Sequence, residues 1–217
     1  KVFGIEDSFN DMSPVAIPRG FTETYLDSPN YDDIENRVIT AYKKVSQKKD
    51  FLLIEGTGHA GVGSVIDMSN SDVAKLVGSK VLLVSNGGIG RSIDEIMLNK
   101  AVFDRVGVEL VGVIVNKVLQ SKYDKISTYV RKGLERHGVN VLGVIPFVDM
   151  LMYPTVETVF RGLKGSLLTE EEESDLSRPV EKCVIGDMVP HEALHILEPN
   201  SLLIVPANRE GLIMTAI

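Results

Sequence analysis

Short apolar runs broken by polar, glycine-rich turns set the rhythm of the chain. Phe51-Leu52-Leu53-Ile54 ends in Glu55 and glycines, Val81-Leu82-Leu83-Val84 ends in Ser-Asn-Gly-Gly, Leu110 to Val115 ends in Asn116-Lys117, and Val139 to Ile145 ends in Pro146. None alternates polar with apolar residues, so each predicts a strand buried on both faces. Between them the period becomes helical. Tyr31, Ile34, Val38, Ala41, Tyr42 and Val45 recur on one face of a helix predicted from Tyr31 to Lys48. Asp32 and Asp33 lie in its first turn and Lys43, Lys44, Lys48 and Lys49 at its end, which suits the helix dipole.

Ser92-Ile93-Asp94-Glu95 has the form of a capping box and predicts a helix to about Val106, with Ile93, Ile96, Met97 and Val102 inward. Ser121 with Asp124 predicts the start of the next helix, which stops near His137-Gly138. Strand, helix, strand, helix implies an α/β fold: a parallel sheet with helices on both faces. The first thirty residues show no clean period, and Ser13 to Pro18 reads as an extended piece between turns. After Pro146 the pattern weakens. A short helix is predicted within Met150 to Gly165, then a surface loop over the acidic Glu170 to Glu173. Strand-like Val180 to Ile185, a helical stretch around His191 and the apolar run Leu202 to Val205 resemble the opening of a second small α/β domain.

Composition narrows the function classes. The chain has 217 residues, 44% of them hydrophobic and 24% charged, which suits a folded domain with part of another. A net charge of −7 argues against a broad phosphate-backbone footprint, so no nucleic acid is expected as partner. No apolar run reaches membrane-spanning length, and no membrane partner is expected. The single cysteine, Cys183, excludes an internal disulfide framework and a cysteine-rich zinc site. It reads as a small core residue, and a reducing cytoplasm fits such usage. The chain opens on Lys1 without a methionine, which reads as a fragment or trimmed product.

Three motifs carry candidate chemistry. Gly56-Thr57-Gly58-His59-Ala60-Gly61 follows a strand and matches G-x-G-x-x-G. A dinucleotide site also needs a helix starting within the motif and an acid ending the next strand; Val62 to Asn70 reads as loop, and that strand ends Val84-Ser85-Asn86. Glu55 is the stronger feature. A carboxylate at a strand's end can reach Mg²⁺ directly or through water, and the glycines after it let backbone N–H groups approach phosphate. The plainer alternative is an acid capping its own turn. The second motif, Asn86-Gly87-Gly88-Ile89-Gly90-Arg91-Ser92, is either an anion-binding helix start with Arg91 alongside or an ordinary tight turn. The third, His191-Glu192-Ala193-Leu194-His195, has the form of a zinc-hydrolase helix. It is confined between Pro190 and Pro199, has no third histidine after it, and offers only Glu198 or Glu210 as a further ligand. A short amphipathic helix explains it equally. No G-x-S-x-G is present, so a serine hydrolase has no support.

Ile54-Glu55-Gly56-Thr57-Gly58, Val115-Asn116-Lys117-Val118 and Gly143-Val144-Ile145-Pro146 together resemble the P-loop family of dethiobiotin synthetases and cobyrinic acid a,c-diamide synthases. Within it, the chain is most similar to the ATPase-like module at the N-terminus of some phosphotransacetylases, which the opening Gly4-Ile5-Glu6-Asp7-Ser8 and Ser13-Pro14-Val15 also suit. The resemblance runs from Lys1 to about Phe147; the tail from about Leu151 resembles the first half of a DRTGG domain. It implies residues 1–150 as an N-terminally incomplete nucleotide-binding domain and residues 151–217 as a partial DRTGG-like domain. It further implies ATP and Mg²⁺ as cofactors of the intact protein. Glu55 would hold the metal, Gly56 and Gly58 would shape the phosphate edge, and Asn116 would contact the adenine. Asn116-Lys117 also resembles the base-reading pair of other P-loop proteins, although no Asp stands two residues after Lys117, while Gly88 is a candidate through the anion-binding reading of the second motif. The implied activity is phosphoryl transfer to a carboxylate substrate, with a non-catalytic regulatory or assembly module as the alternative. A homo-oligomer is expected. Two departures stand out: His59 replaces a glycine common in the synthetases, and no G-x-x-x-x-G-K-[ST] occurs, a loop the family places on its first strand and helix.

Overall fold

The computed structural model describes residues 4–167 and 176–216. The chain divides into two compact units, Lys1–Phe147 and Val148–Ile217. The predicted loop over Glu170 to Glu173 lies outside the described residues.

The first unit holds a parallel sheet in the order β1 (Val81–Asn86), β2 (Leu110–Val118), β3 (Val141–Pro146). Parallel neighbours cannot be joined by a tight turn, so each connection carries a helix. α5 (Gly90–Val106) links β1 to β2, and α6 (Tyr123–Glu135) links β2 to β3. Ile126, Val130 and Leu134 recur every four residues along α6 and meet Ile96 of α5 over Val113, Val115, Val118 and Val141 of the sheet. α6 stops where Gly138 takes a left-handed conformation (φ 68°), as the sequence predicts.

Two helices precede the long one already visible in the sequence: α1 (Phe9–Met12) and α2 (Phe21–Asp27), with α3 at Tyr31–Val45. The extended stretch 13–18 lies between the first two. Tyr25 and Ile34 pack with Ile66 and Met68 in a second cluster, where the Tyr25 hydroxyl donates to Asp67 at 3.2 Å. Burial, with Asp67 second, raises that phenol above its ordinary pKa. The stretch after the glycine motif is more regular than its sequence suggests. A 3₁₀ turn (Ser64–Ile66) leads into α4 (Asn70–Leu76), opened by a capping box in which Ser69 and Asp72 satisfy each other's backbone N–H. Ser69 is buried, and its hydroxyl also meets that of Ser71 at 2.7 Å. Replacing Ser69 by alanine is expected to lower stability by about 1–2 kcal/mol; a denaturation midpoint within error of the wild type would show the cap to be dispensable.

Three sequence expectations change. Phe51 to Ile54 forms no strand: Phe51 and Leu53 are about four-fifths exposed, and the segment joins no ladder. Strand structure needs partners for its N–H and C=O groups, and an apolar run supplies none by itself. The strands are also unequally covered. Leu83, Val113 and Val141 face the helices, while Leu82, Val84, Leu142 and Ile145 are exposed. The capping box at Ser92 does not form. α5 begins two residues earlier, at Gly90, and the Ser92 hydroxyl instead donates to the Asn86 carbonyl at 2.7 Å.

In the second unit, β4 (Lys182–Ile185) and β5 (Ser201–Ile204) pair in parallel, joined through α8 (Pro190–Ile196), with α7 (Val156–Leu163) before and α9 (Glu210–Ala216) after. Val184 is the buried residue of β4, so its neighbour Cys183 is exposed rather than in the core. Among the described residues, no helix is long and apolar enough to cross a membrane.

Candidate functional site

Because the three strands of the first unit run parallel, their carboxyl ends share one edge, with Asn86 opposite Asn116 and Val118 opposite Pro146. The pairing slips between Val115 and Val118: Asn116 and Lys117 of β2 stand against Ile145 alone on β3. Such a bulge re-aims side chains at a strand's end. Lys117 carries the distortion, with φ 58°, a region that L-residues other than glycine seldom enter. The Asn116 side-chain carbonyl accepts the Lys117 N–H at 2.8 Å and fixes the kink. Lys117 is exposed and in no ion pair among the described residues. Gly87 lies so near this kink that a Cβ on it would stand 2.9 Å from Val118 Cα. Asn116, Lys117 and the Gly87-Gly88 turn therefore form one corner.

Arg91 is not turned toward that corner. It pairs with Glu95 one helical turn on, at 2.6 Å, and this hydrogen bond raises its pKa further. The second motif therefore offers its glycine turn and helix start without a committed cation.

The Glu55 loop is built separately. Glu55 is exposed and makes no hydrogen bond or ion pair among the described residues, so the alternative of an acid capping its own turn is not what the structure has. The loop after it is held from two helices. Asn99 of α5 accepts the Ala60 N–H at 2.7 Å, and Asn70 at the start of α4 donates to the carbonyls of Thr57 (2.8 Å) and His59 (2.9 Å). The N–H groups of Thr57, Gly58 and His59 have no partner among the described residues. His59 Nδ1 accepts the Gly61 N–H at 3.2 Å, so the imidazole closes the loop's own turn. No hydrogen bond joins Glu55 to Asn116, Lys117 or Gly88.

A lone free carboxylate suits Mg²⁺, which keeps several waters and binds through one or two carboxylates together with substrate phosphates. It does not suit a metal caged by protein, and no group of three His, Cys, Asp or Glu able to hold one exists among the described residues. That also removes the zinc reading of His191, Glu192 and His195. They lie on the seven-residue α8, and Glu198 is taken by Lys182 at 2.7 Å. Sequence reasoning missed Asn70 and Asn99. Ser69-x-x-Asp72 could have marked the start of α4 and so brought Asn70 beside the loop; nothing in the sequence points to Asn99.

The parallel sheet with glycine turns gathered at its carboxyl edge defines a P-loop NTPase-like α/β protein. More particularly, the chain belongs to the AAA domain family, whose match spans residues 1–155, and residues 158–217 match the DRTGG domain. Curated relatives include proteins of two kinds. A phosphate acetyltransferase of Synechocystis is 29% identical over 84% of this chain but only 26% of its own length. One from Pseudomonas aeruginosa is 24% identical over 94% of the chain and 31% of its own length. An ATP-dependent dethiobiotin synthetase of Clostridium perfringens is 27% identical over 69% of the chain and 66% of its own length. The chain thus spans less than a third of the acetyltransferases it matches. The family expected from Glu55, Asn116 and Gly143 is the family found.

Proposed function

We propose that this chain contributes a Mg-ATP site, with Glu55 directed at the metal, the Gly56–Gly58 loop at the phosphates, and the Asn116-Lys117 corner with Gly88 at the nucleotide. The observation that carries the reading is the Glu55 carboxylate, which has no partner among the described residues and is followed by the N–H groups of Gly56, Thr57, Gly58 and His59, likewise without one. A carboxylate and a run of donors complement a metal–phosphate pair, whereas a structural turn would have consumed them. The dethiobiotin synthetases to which the chain is similar are ATP-dependent by name. The activity that goes with the site is attack of a substrate carboxylate on the γ-phosphorus, breaking its bond to the β,γ-bridging oxygen and releasing ADP. Glu55 would position the metal, which would supply the charge neutralisation, rather than exchange protons.

A second reading, a nucleotide-responsive regulatory or assembly module, is favoured by two facts: the chain is similar to phosphate acetyltransferases as well as to stand-alone synthetases, and His59 stands where the synthetases commonly have a glycine. The test is titration of ATP into the full-length protein with and without Mg²⁺. Glu55→Gln is expected to abolish most of the gain in affinity that Mg²⁺ gives, about tenfold or more. A variant with the wild-type gain defeats the metal role. Binding without phosphoryl transfer to any carboxylate selects the regulatory reading.

A further inference from the structure

We infer that Asn70 is a positioning residue for the phosphate-facing loop, an inference that rests on the nucleotide reading above. Thr57 and His59 present two carbonyls to one side-chain nitrogen at 2.8 and 2.9 Å. Only an NH₂ group can meet two acceptors there, so the amide's orientation is fixed by its partners. The backbone of α4 completes the hold: the Asn70 N–H donates to Val62 at 3.0 Å, and the Ser71 N–H to Ala60 at 3.1 Å. The carbonyls of residues 57, 59, 60 and 62 are thereby all taken by the first two residues of one helix.

This asymmetry gives the loop its chemistry. With the carbonyls of Thr57, His59, Ala60 and Val62 occupied and the N–H groups of Thr57, Gly58 and His59 without a partner among the described residues, the segment offers mostly donors, which suits anionic oxygens. Asn70 also accounts for Gly56. A Cβ there would stand 2.9 Å from the Asn70 side-chain oxygen, so the backbone lies flat against the amide immediately after Glu55. The residue that orients the donors therefore also sets where the carboxylate leaves the chain. Ala60, held by Asn99 and nearly inaccessible, anchors the far end of the loop.

The experiment compares wild type, Asn70→Ala and Asn70→Asp in the full-length protein. Hydrogen exchange without ligand reads the bonded amides of residues 60–62, and titrations read Mg-ATP and adenosine, the latter lacking phosphates. Asn70→Asp keeps the side chain's size and places an acid in the first turn of α4, where the helix dipole favours it, but removes the donor. Both variants are expected to exchange about tenfold faster in the loop and to bind Mg-ATP about fivefold or more weakly, with adenosine affinity within about twofold of wild type. Unchanged loop exchange overturns the hold itself. A loosened loop in which Mg-ATP and adenosine affinities move together overturns the phosphate role and leaves a structural one. A wild type that binds neither compound defeats the nucleotide reading and the phosphate role with it, and the exchange arm then judges the hold alone.

Discussion

Leu134→Ala is expected to destabilise the first unit by about 4 kcal/mol. Leu134 is fully buried near the end of α6, where it closes the layer between the helix and the inward residues of β2 and β3. Removing its side chain loses the transfer free energy of the deleted carbons and leaves a cavity that this packing cannot close, since Val130, Val139 and Val141 are each pinned in the same cluster. The backbone gives little relief: the Leu134 carbonyl accepts from His137 and Val139 in the turn that follows. Val84→Ala, in β1 but exposed, is the matched control, expected to stay within about 0.5 kcal/mol of wild type. Denaturant midpoints for both variants decide the matter. A loss at Leu134 below about 1 kcal/mol, or equal losses at the two positions, would mean that the α6 layer is not the main source of stability.

Gly63→Ala is expected to be comparably severe, about 4 kcal/mol, or roughly 10 °C in melting temperature for a unit of this size. Gly63 has φ 98°, and a Cβ on it would stand 2.2 Å from the Met68 carbonyl oxygen, a backbone atom that cannot rotate away. Its own carbonyl accepts from both Ile66 and Met68, so the clash would pull apart the turn that delivers those two residues to the cluster with Tyr25 and Ile34. The damage would extend to α4, whose first N–H is bonded one residue before Gly63, at Val62. Gly78→Ala is the comparison: its φ is also positive (65°) but no atom lies within 4 Å of the added carbon, so only backbone strain of about 1–2 kcal/mol is expected. If thermal melts place the two variants together, the close approach at Met68 is not what fixes this turn.

Much of the molecule is legible in the residues alone. The three paired strands, α3, α5 and α6 follow from period and punctuation, because an apolar run flanked by glycine turns or a stripe at 3.6-residue spacing carries its own structural preference. The family follows from Glu55, Asn116 and Gly143 in their strand-end contexts, and the comparisons agree with it. Short helices were less visible. Phe9–Met12 is capped by Ser8 and Phe21–Asp27 is anchored by the buried Tyr25, and at four and seven residues they are too short for propensity to reveal.

The sequence by itself determined the α/β order, the glycine turns and the identity of the candidate ligands, since these are local matters of side-chain chemistry and backbone permissiveness. Only the tertiary structure decided how they are used. It left Phe51 to Ile54 outside the sheet, because a strand exists only through its neighbours. It gave Arg91 to Glu95 and Ser92 to the Asn86 carbonyl, because a nearer partner takes a polar group from a more distant one. It brought Asn70 and Asn99 to the loop after Glu55 from 13 and 39 residues away, a pairing that no spacing rule encodes, because side-chain amides recognise whatever backbone the fold sets within 3 Å of them.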